Sequence, residues 1–92
     1  IQKIQKTVCG YFDLDCDLIQ TASRKREIVQ ARQLTMYFSK KYTDSSLSLI
    51  GKMVGKKDHA TVLHACKAIQ DQMDTNTSFR SSVEEIDAML KR

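Results

Sequence analysis

The chain has 92 residues, 41% of them hydrophobic and 28% charged, with no proline, three glycines and a net charge of +4. That length predicts a single domain with one modest core, and no apolar run approaches the roughly 20 residues that cross a bilayer, which argues against a membrane protein. Strong helix formers dominate and no stretch alternates apolar and polar residues long enough for a strand, so the expected class is all-α.

The first residue is not Met, and the N-terminal segment lacks the basic-then-apolar layout of a signal peptide, so the chain reads as a fragment of a longer cytoplasmic protein. Its opening segment "IQKIQKTVCGYFDL" sets Ile1, Ile4, Val8, Tyr11 and Phe12 at three- and four-residue steps, predicting an amphipathic first helix with Gly10 as its weak point. Next, Asp15 or Asp17 can cap a short turn carrying Leu18 and Ile19. Residues 21–26 then read as an exposed basic loop ending in Arg24, Lys25 and Arg26. From Glu27 to about Tyr42 the apolar positions Ile28, Ala31, Leu34, Phe38 and Tyr42 keep helical spacing, and Val29, Met36 and Tyr37 widen the stripe. Such a helix should be central and largely buried.

Asp44 or Ser45 can cap a short helix over roughly 46–54, carrying Leu47, Leu49, Ile50, Met53 and Val54. Gly55 permits the positive φ of a helix end, and Lys56 and Lys57 bridge to Asp58, which can cap the following helix. On that helix Val62, Cys66, Ile69 and Met73 share an apolar face, while Ala60, Thr61, His64 and Lys67 lie on a different one. Helix, short glycine-containing turn, helix over about 46–73 is the layout of a helix-turn-helix, with its recognition helix starting near Asp58. A last helix buries Phe79, Val83, Ile86 and Leu90 and is capped near Thr77 or Ser78.

The charge is unevenly spread. Between Thr21 and Lys67 ten cations face three carboxylates, whereas residues 1–20 and 68–92 are each net acidic. A basic middle between acidic ends is the footprint of a polyanion site, because phosphate neutralisation supplies most nonspecific nucleic-acid affinity.

Other chemistries fit less well. Cys9, Cys16 and Cys66, spaced by seven and fifty, form neither a disulfide framework nor a CxxC knuckle and are expected as buried or half-buried reduced thiols. His59 and His64 are five apart, turned away from a shared helical face, and Cys66 belongs to the apolar stripe, so no metal site is expected. No glycine-rich phosphate loop or nucleophile motif accompanies them, so no catalysis and no cofactor are expected. The alternatives to sequence-specific binding are a helical protein-interaction module and a nonspecific basic DNA-binding domain.

The segments "SRKREIVQARQLTMYFSKKYTDSSLSLIGKMV" and "GKKDHATVLHACKAI" closely resemble the C-terminal DNA-binding domains of bacterial chromosomal replication initiators of the DnaA family, whose signature reads about G-R-D-H-[ST]-T-V-[LI]-[HY]-A. The resemblance covers about residues 20–70. It implies double-stranded DNA as partner, as a roughly nine-base-pair box of the TTATNCACA type at the replication origin, bound by one domain per box. The isolated domain is then expected to be monomeric and nucleoid-associated, with ATP binding confined to an upstream domain.

The resemblance also implies roles. Arg24 matches an arginine that enters the minor groove, with Lys25 and Arg26 as backups or phosphate contacts. Arg32 and Gln33 match positions contacting DNA near that groove and its backbone; by themselves the two would read as a solvated pair at the helix start. Lys40 matches a phosphate contact. Asp58, His59, Ala60 and Thr61 match the base-reading positions; a carboxylate can accept from the cytosine amine, His59 can donate to a base acceptor, and Thr61 can meet a thymine methyl. Lys56, Lys57 and His64 fall to the backbone. Two departures stand out: Ala60 where the family has Ser or Thr, and Lys57 where Arg is common.

Overall fold

The computed structural model describes residues 1–21 and 25–91. Its elements follow from local chemistry. Ile4 and Val8, one turn apart, bury the inner face of α1 (Gln2–Tyr11), and Asp15 caps a short 3₁₀ helix (Cys16–Gln20) by accepting from the Asp17 amide. The long α2 (Arg26–Tyr42) begins one residue before the expected Glu27 and buries Ile28, Ala31, Leu34, Met36 and Phe38. Tyr42 does not join that stripe: it is 38% exposed, and its hydroxyl donates to Asp87.

Ser46, not Asp44 or Ser45, caps α3 (Leu47–Met53) by accepting from the Leu49 amide at 3.1 Å. Leu49 and Met53 stay exposed, so Ile50, with Val54 just past the helix end, supplies the burial here. Gly55 takes the left-handed conformation expected of it (φ +80°), and Lys56 follows with φ 54°. Asp58 caps α4 (His59–Thr75) as expected. Asn76, rather than Thr77 or Ser78, caps α5 (Thr77–Leu90) through the Phe79 amide at 3.0 Å.

The packing is helix on helix, and no strand occurs among the described residues. α4 lies across both α2 and α3, α1 covers α2, and α5 closes against α1 and α4. Phe38, Leu34, Ile19, Ile50, Val62, Ile69, Ile86 and Val8 meet at the centre with no exposure. At about 1.5–3 kcal/mol for each fully buried aliphatic or aromatic side chain, this set is what opposes the entropy of ordering the chain.

A further constraint fixes the angle between α3 and α4. The Gly51 carbonyl accepts from the Lys57 amide at 2.7 Å, and a Cβ at position 51 would stand 2.3 Å from the Lys57 carbonyl oxygen. Only a residue without a side chain lets the turn fold back this closely. Cys9 is buried and Cys16 and Cys66 half-buried, all as free thiols. Burial, with help from the neighbouring Cys16 side chain, pushes the Cys9 thiol up to about 12.

Candidate nucleic-acid interface

The apolar side of α4, Val62, Ala65 and Ile69, is spent on the core. Helical geometry therefore turns His59, Ala60, Leu63, His64 and Lys67 outward, and all five are exposed. At the helix start the Asp58 Oδ1 accepts from the Thr61 amide at 2.9 Å and from the Thr61 hydroxyl at 2.8 Å. These two bonds, backbone first, hold the Asp58 carboxyl below its ordinary value, so at neutral pH it is a charged acceptor beside the free N–H groups of the first turn. Thr61, itself exposed, spends its hydroxyl proton on Asp58.

Two grooves flank this face. One, of about 360 Å³, runs between α2 and the start of α4 and brings Arg32, Gln33, Lys57, Thr61 and His64 to a single lining. The other joins Lys40 and Lys41 of α2 to His64 and Lys67 of α4 over an apolar floor of Tyr37, Leu63 and Cys66. His64 lines both. Arg26 opens a shallow third depression with Val29, Gln30 and Gln33 at the α2 start, so cations follow α2 from Arg26 to Lys40 beside the exposed face of α4. Lys25 and Lys56 are exposed and Lys57 is half-buried. Arg24 lies outside the described residues.

Arg32 sits differently from the other expected contact residues. It is not a solvated residue at the helix start but lies in the second turn of α2, only 7% exposed. Its Nε donates to the Ile19 carbonyl at 2.9 Å and a terminal nitrogen to the Thr21 carbonyl at 2.7 Å. Burial draws its pKa below the ordinary guanidinium value. The signal was present in the sequence: Arg32 stands one turn after Ile28, on the buried face of the stripe.

Leu63, 52% exposed in the middle of the outward face, and Lys67, Lys41 and Gln70 of the second groove are further residues that the site brings together. Leu63 could have been found as the one large aliphatic residue of its segment off the 62, 66, 69, 73 stripe. Among the described residues no group of three His, Cys, Asp or Glu is placed to hold a metal ion, and no helix is long and apolar enough to cross a membrane.

Comparison with known proteins gives a consistent result. The family described as "Bacterial dnaA protein helix-turn-helix" matches residues 1–69. Among curated proteins, the chain is 55% identical over all 92 residues to the chromosomal replication initiator protein DnaA of Bacteroides thetaiotaomicron. It is 49% identical over 90 residues to that of Flavobacterium psychrophilum, and 44% identical over 92 residues to that of Lactobacillus delbrueckii subsp. bulgaricus. The chain spans about a fifth of the length of these relatives: 20%, 19% and 20%.

Proposed function

The chain belongs to the bacterial DnaA helix-turn-helix family, and from that premise we propose that it binds double-stranded DNA in sequence-specific fashion, as the origin-reading part of a chromosomal replication initiator. The observation that carries this reading is the capped start of α4, where Asp58, His59, Ala60 and Thr61 stand exposed beside a groove lined by Gln33, Lys57 and His64. A convex helix end bearing polar side chains and flanked by cations suits the major groove, which is wide enough to admit an α-helix.

The chemistry divides by residue. His59 donates to a base acceptor, Thr61 and Ala60 offer methyl groups to thymine, and Asp58 accepts from a cytosine amine through Oδ2, since Oδ1 holds the helix cap. Arg24 enters the adjoining minor groove, where a narrow A·T-rich segment concentrates negative potential. Lys25, Arg26, Lys40, Lys56, Lys57, Gln33 and His64 bind the phosphate backbone. Arg32, on the lining of the same groove as Gln33 and Lys57, meets the DNA near the minor groove and its backbone while its guanidinium holds the chain before α2 in place. The domain acts by binding and not by catalysis, uses no cofactor, and takes one box per monomer in the cytoplasm; nucleotide binding belongs to the remainder of the longer protein.

Fluorescence anisotropy on a labelled duplex carrying a TTATNCACA-type box, beside a scrambled duplex, across a salt series tests this reading. Preference for the box that persists as salt rises is expected. The affinity should fall with a slope of about −5 in log K against log salt, for six phosphate contacts at roughly 0.9 each. Equal binding to both duplexes reduces the domain to a basic clamp, and binding to neither refutes DNA recognition.

A further inference from the structure

The turn between α3 and α4 leaves two backbone groups that the helices themselves do not satisfy. The Met53 carbonyl belongs to the last turn of α3, where no intrahelical donor remains, and the Gly55 amide sits beyond the helix end in a left-handed residue. One side chain answers both. Gln20 donates from Nε2 to the Met53 carbonyl at 2.7 Å and accepts at Oε1 from the Gly55 amide at 3.1 Å. Its Nε2 also donates to Gln5 Oε1 of α1 at 3.2 Å.

A primary amide suits this task because it carries a donor and an acceptor side by side; Glu lacks the donor and Lys the acceptor. The residues on either side of Gln20 are held as well, since the buried Arg32 binds the carbonyls of Ile19 and Thr21 at 2.9 and 2.7 Å. Gly55 packs into the same junction, where a Cβ would stand 3.0 Å from the Arg32 Cδ and 3.3 Å from the Ile19 carbonyl oxygen. The segment 19–21 is thus stitched to α2 by Arg32 and to the α3–α4 turn by Gln20. In sequence that segment stands two residues before the basic stretch 24–26, and the turn leads directly into Asp58 and α4.

We propose that Gln20 is a positioning residue for DNA reading: its amide sets the recognition helix relative to the segment 19–21 that precedes the basic stretch in sequence, so that both DNA-reading parts of the chain act in one register. The proposal rests on the DNA-binding reading above. Gln20 itself is exposed and uncharged, so it supplies neither core packing nor phosphate attraction. Its loss should therefore lower discrimination between sequences more than it lowers total affinity.

The test compares wild type, Gln20→Met, Gln20→Ala, Arg24→Ala and the Gln20→Met/Arg24→Ala double variant, by anisotropy on box and scrambled duplexes, with thermal unfolding followed by circular dichroism alongside. The expected result is a folded Gln20→Met whose preference for the box over the scrambled duplex drops about five- to tenfold, the effect of roughly one net hydrogen bond. Its affinity for the scrambled duplex should stay unchanged. In the Arg24→Ala background the same substitution should cost less, because a register is lost only once. An unchanged preference in Gln20→Met and Gln20→Ala overturns the proposal, as do losses that are equal on both duplexes and additive with Arg24→Ala, since these describe a purely structural contact. A wild type that shows no preference for the box refutes the DNA-reading function itself, a result distinct from either of these.

Discussion

Substituting Gly51 by alanine sets two physical effects against each other with opposite signs. Gly51 lies inside α3, and helix propensity alone makes alanine the better residue there by about 0.5–1 kcal/mol. The tertiary structure argues the reverse, because the new Cβ would stand 2.3 Å from the Lys57 carbonyl oxygen, 3.0 Å from its carbon and 3.1 Å from the Asp58 carbonyl oxygen. All three are backbone atoms that cannot rotate aside, so the strain belongs at the upper end of the ~1–3 kcal/mol cost of overpacking. After the propensity gain a net loss of about 2 kcal/mol remains, which in a domain of this size lowers Tm by roughly 8–16 °C. The relief available is to push the Lys57–Asp58 backbone outward, which shifts the start of α4 and should weaken box binding below the level expected from stability alone. Gly10→Ala is the control, since nothing lies within 4 Å of a Cβ there and only the propensity gain applies. Thermal unfolding of both variants decides the matter: Gly10→Ala should melt above wild type and Gly51→Ala well below it. A Gly51→Ala protein that melts at or above the wild-type temperature would refute the close-approach argument.

Lys56 occupies a left-handed backbone conformation (φ 54°), which costs a side-chain-bearing residue about 1–2 kcal/mol. Lys56→Gly should therefore raise Tm modestly, once the greater freedom of glycine in the unfolded chain is subtracted, while making the salt slope of DNA binding less negative by about 0.9; a lower Tm would contradict the strain assignment. Asp87 ties α5 to α2: burial alone would raise its pKa, but hydrogen bonds from Tyr42, Lys41 and Lys91 outweigh this and hold it below 3.8. A carboxyl depressed in the folded state contributes stability above its unfolded pKa and loses it as pH falls through the folded value. Denaturant titrations from pH 7 to pH 3 should thus show falling stability below about pH 4, and Asp87→Asn should flatten that fall by no more than about 1 kcal/mol because both lysines are well exposed; identical pH profiles would exclude the contact as a contributor. Cys9, with its thiol raised to about 12 by burial and the Cys16 side chain, should resist a disulfide reagent at pH 8 until the protein unfolds. Peptide mapping that finds Cys9 modified as fast as the half-buried Cys16 and Cys66 would show that the α1 end opens readily.

The elements of this fold and the exposed face of α4 could be read along the chain because both depend on spacing of a few residues. Asp58 caps α4 through an amide three residues on, and Val62, Ile69 and Met73 recur at the helical period, so residues 59–61 and 64 had to point elsewhere. Caps were less determinate where several competent residues stand in a row. Asp44, Ser45 and Ser46 all qualify by type, and Ser46 is the one used because the docking of Ile50 and Val54 sets where α3 begins. The same holds for Asn76 before Thr77 and Ser78.

The sequence by itself determined the helices, the basic middle of the chain and the exposed face of α4, since periodicity, capping chemistry and charge act between near neighbours. Only the tertiary structure decided that the partners of Arg32 are the carbonyls of Ile19 and Thr21, that Gly51 must be bare, and that Gln20 reaches 33 residues along the chain to the Met53 carbonyl. Backbone groups left over at helix ends must find partners wherever packing brings them, and no local pattern records which distant side chain arrives.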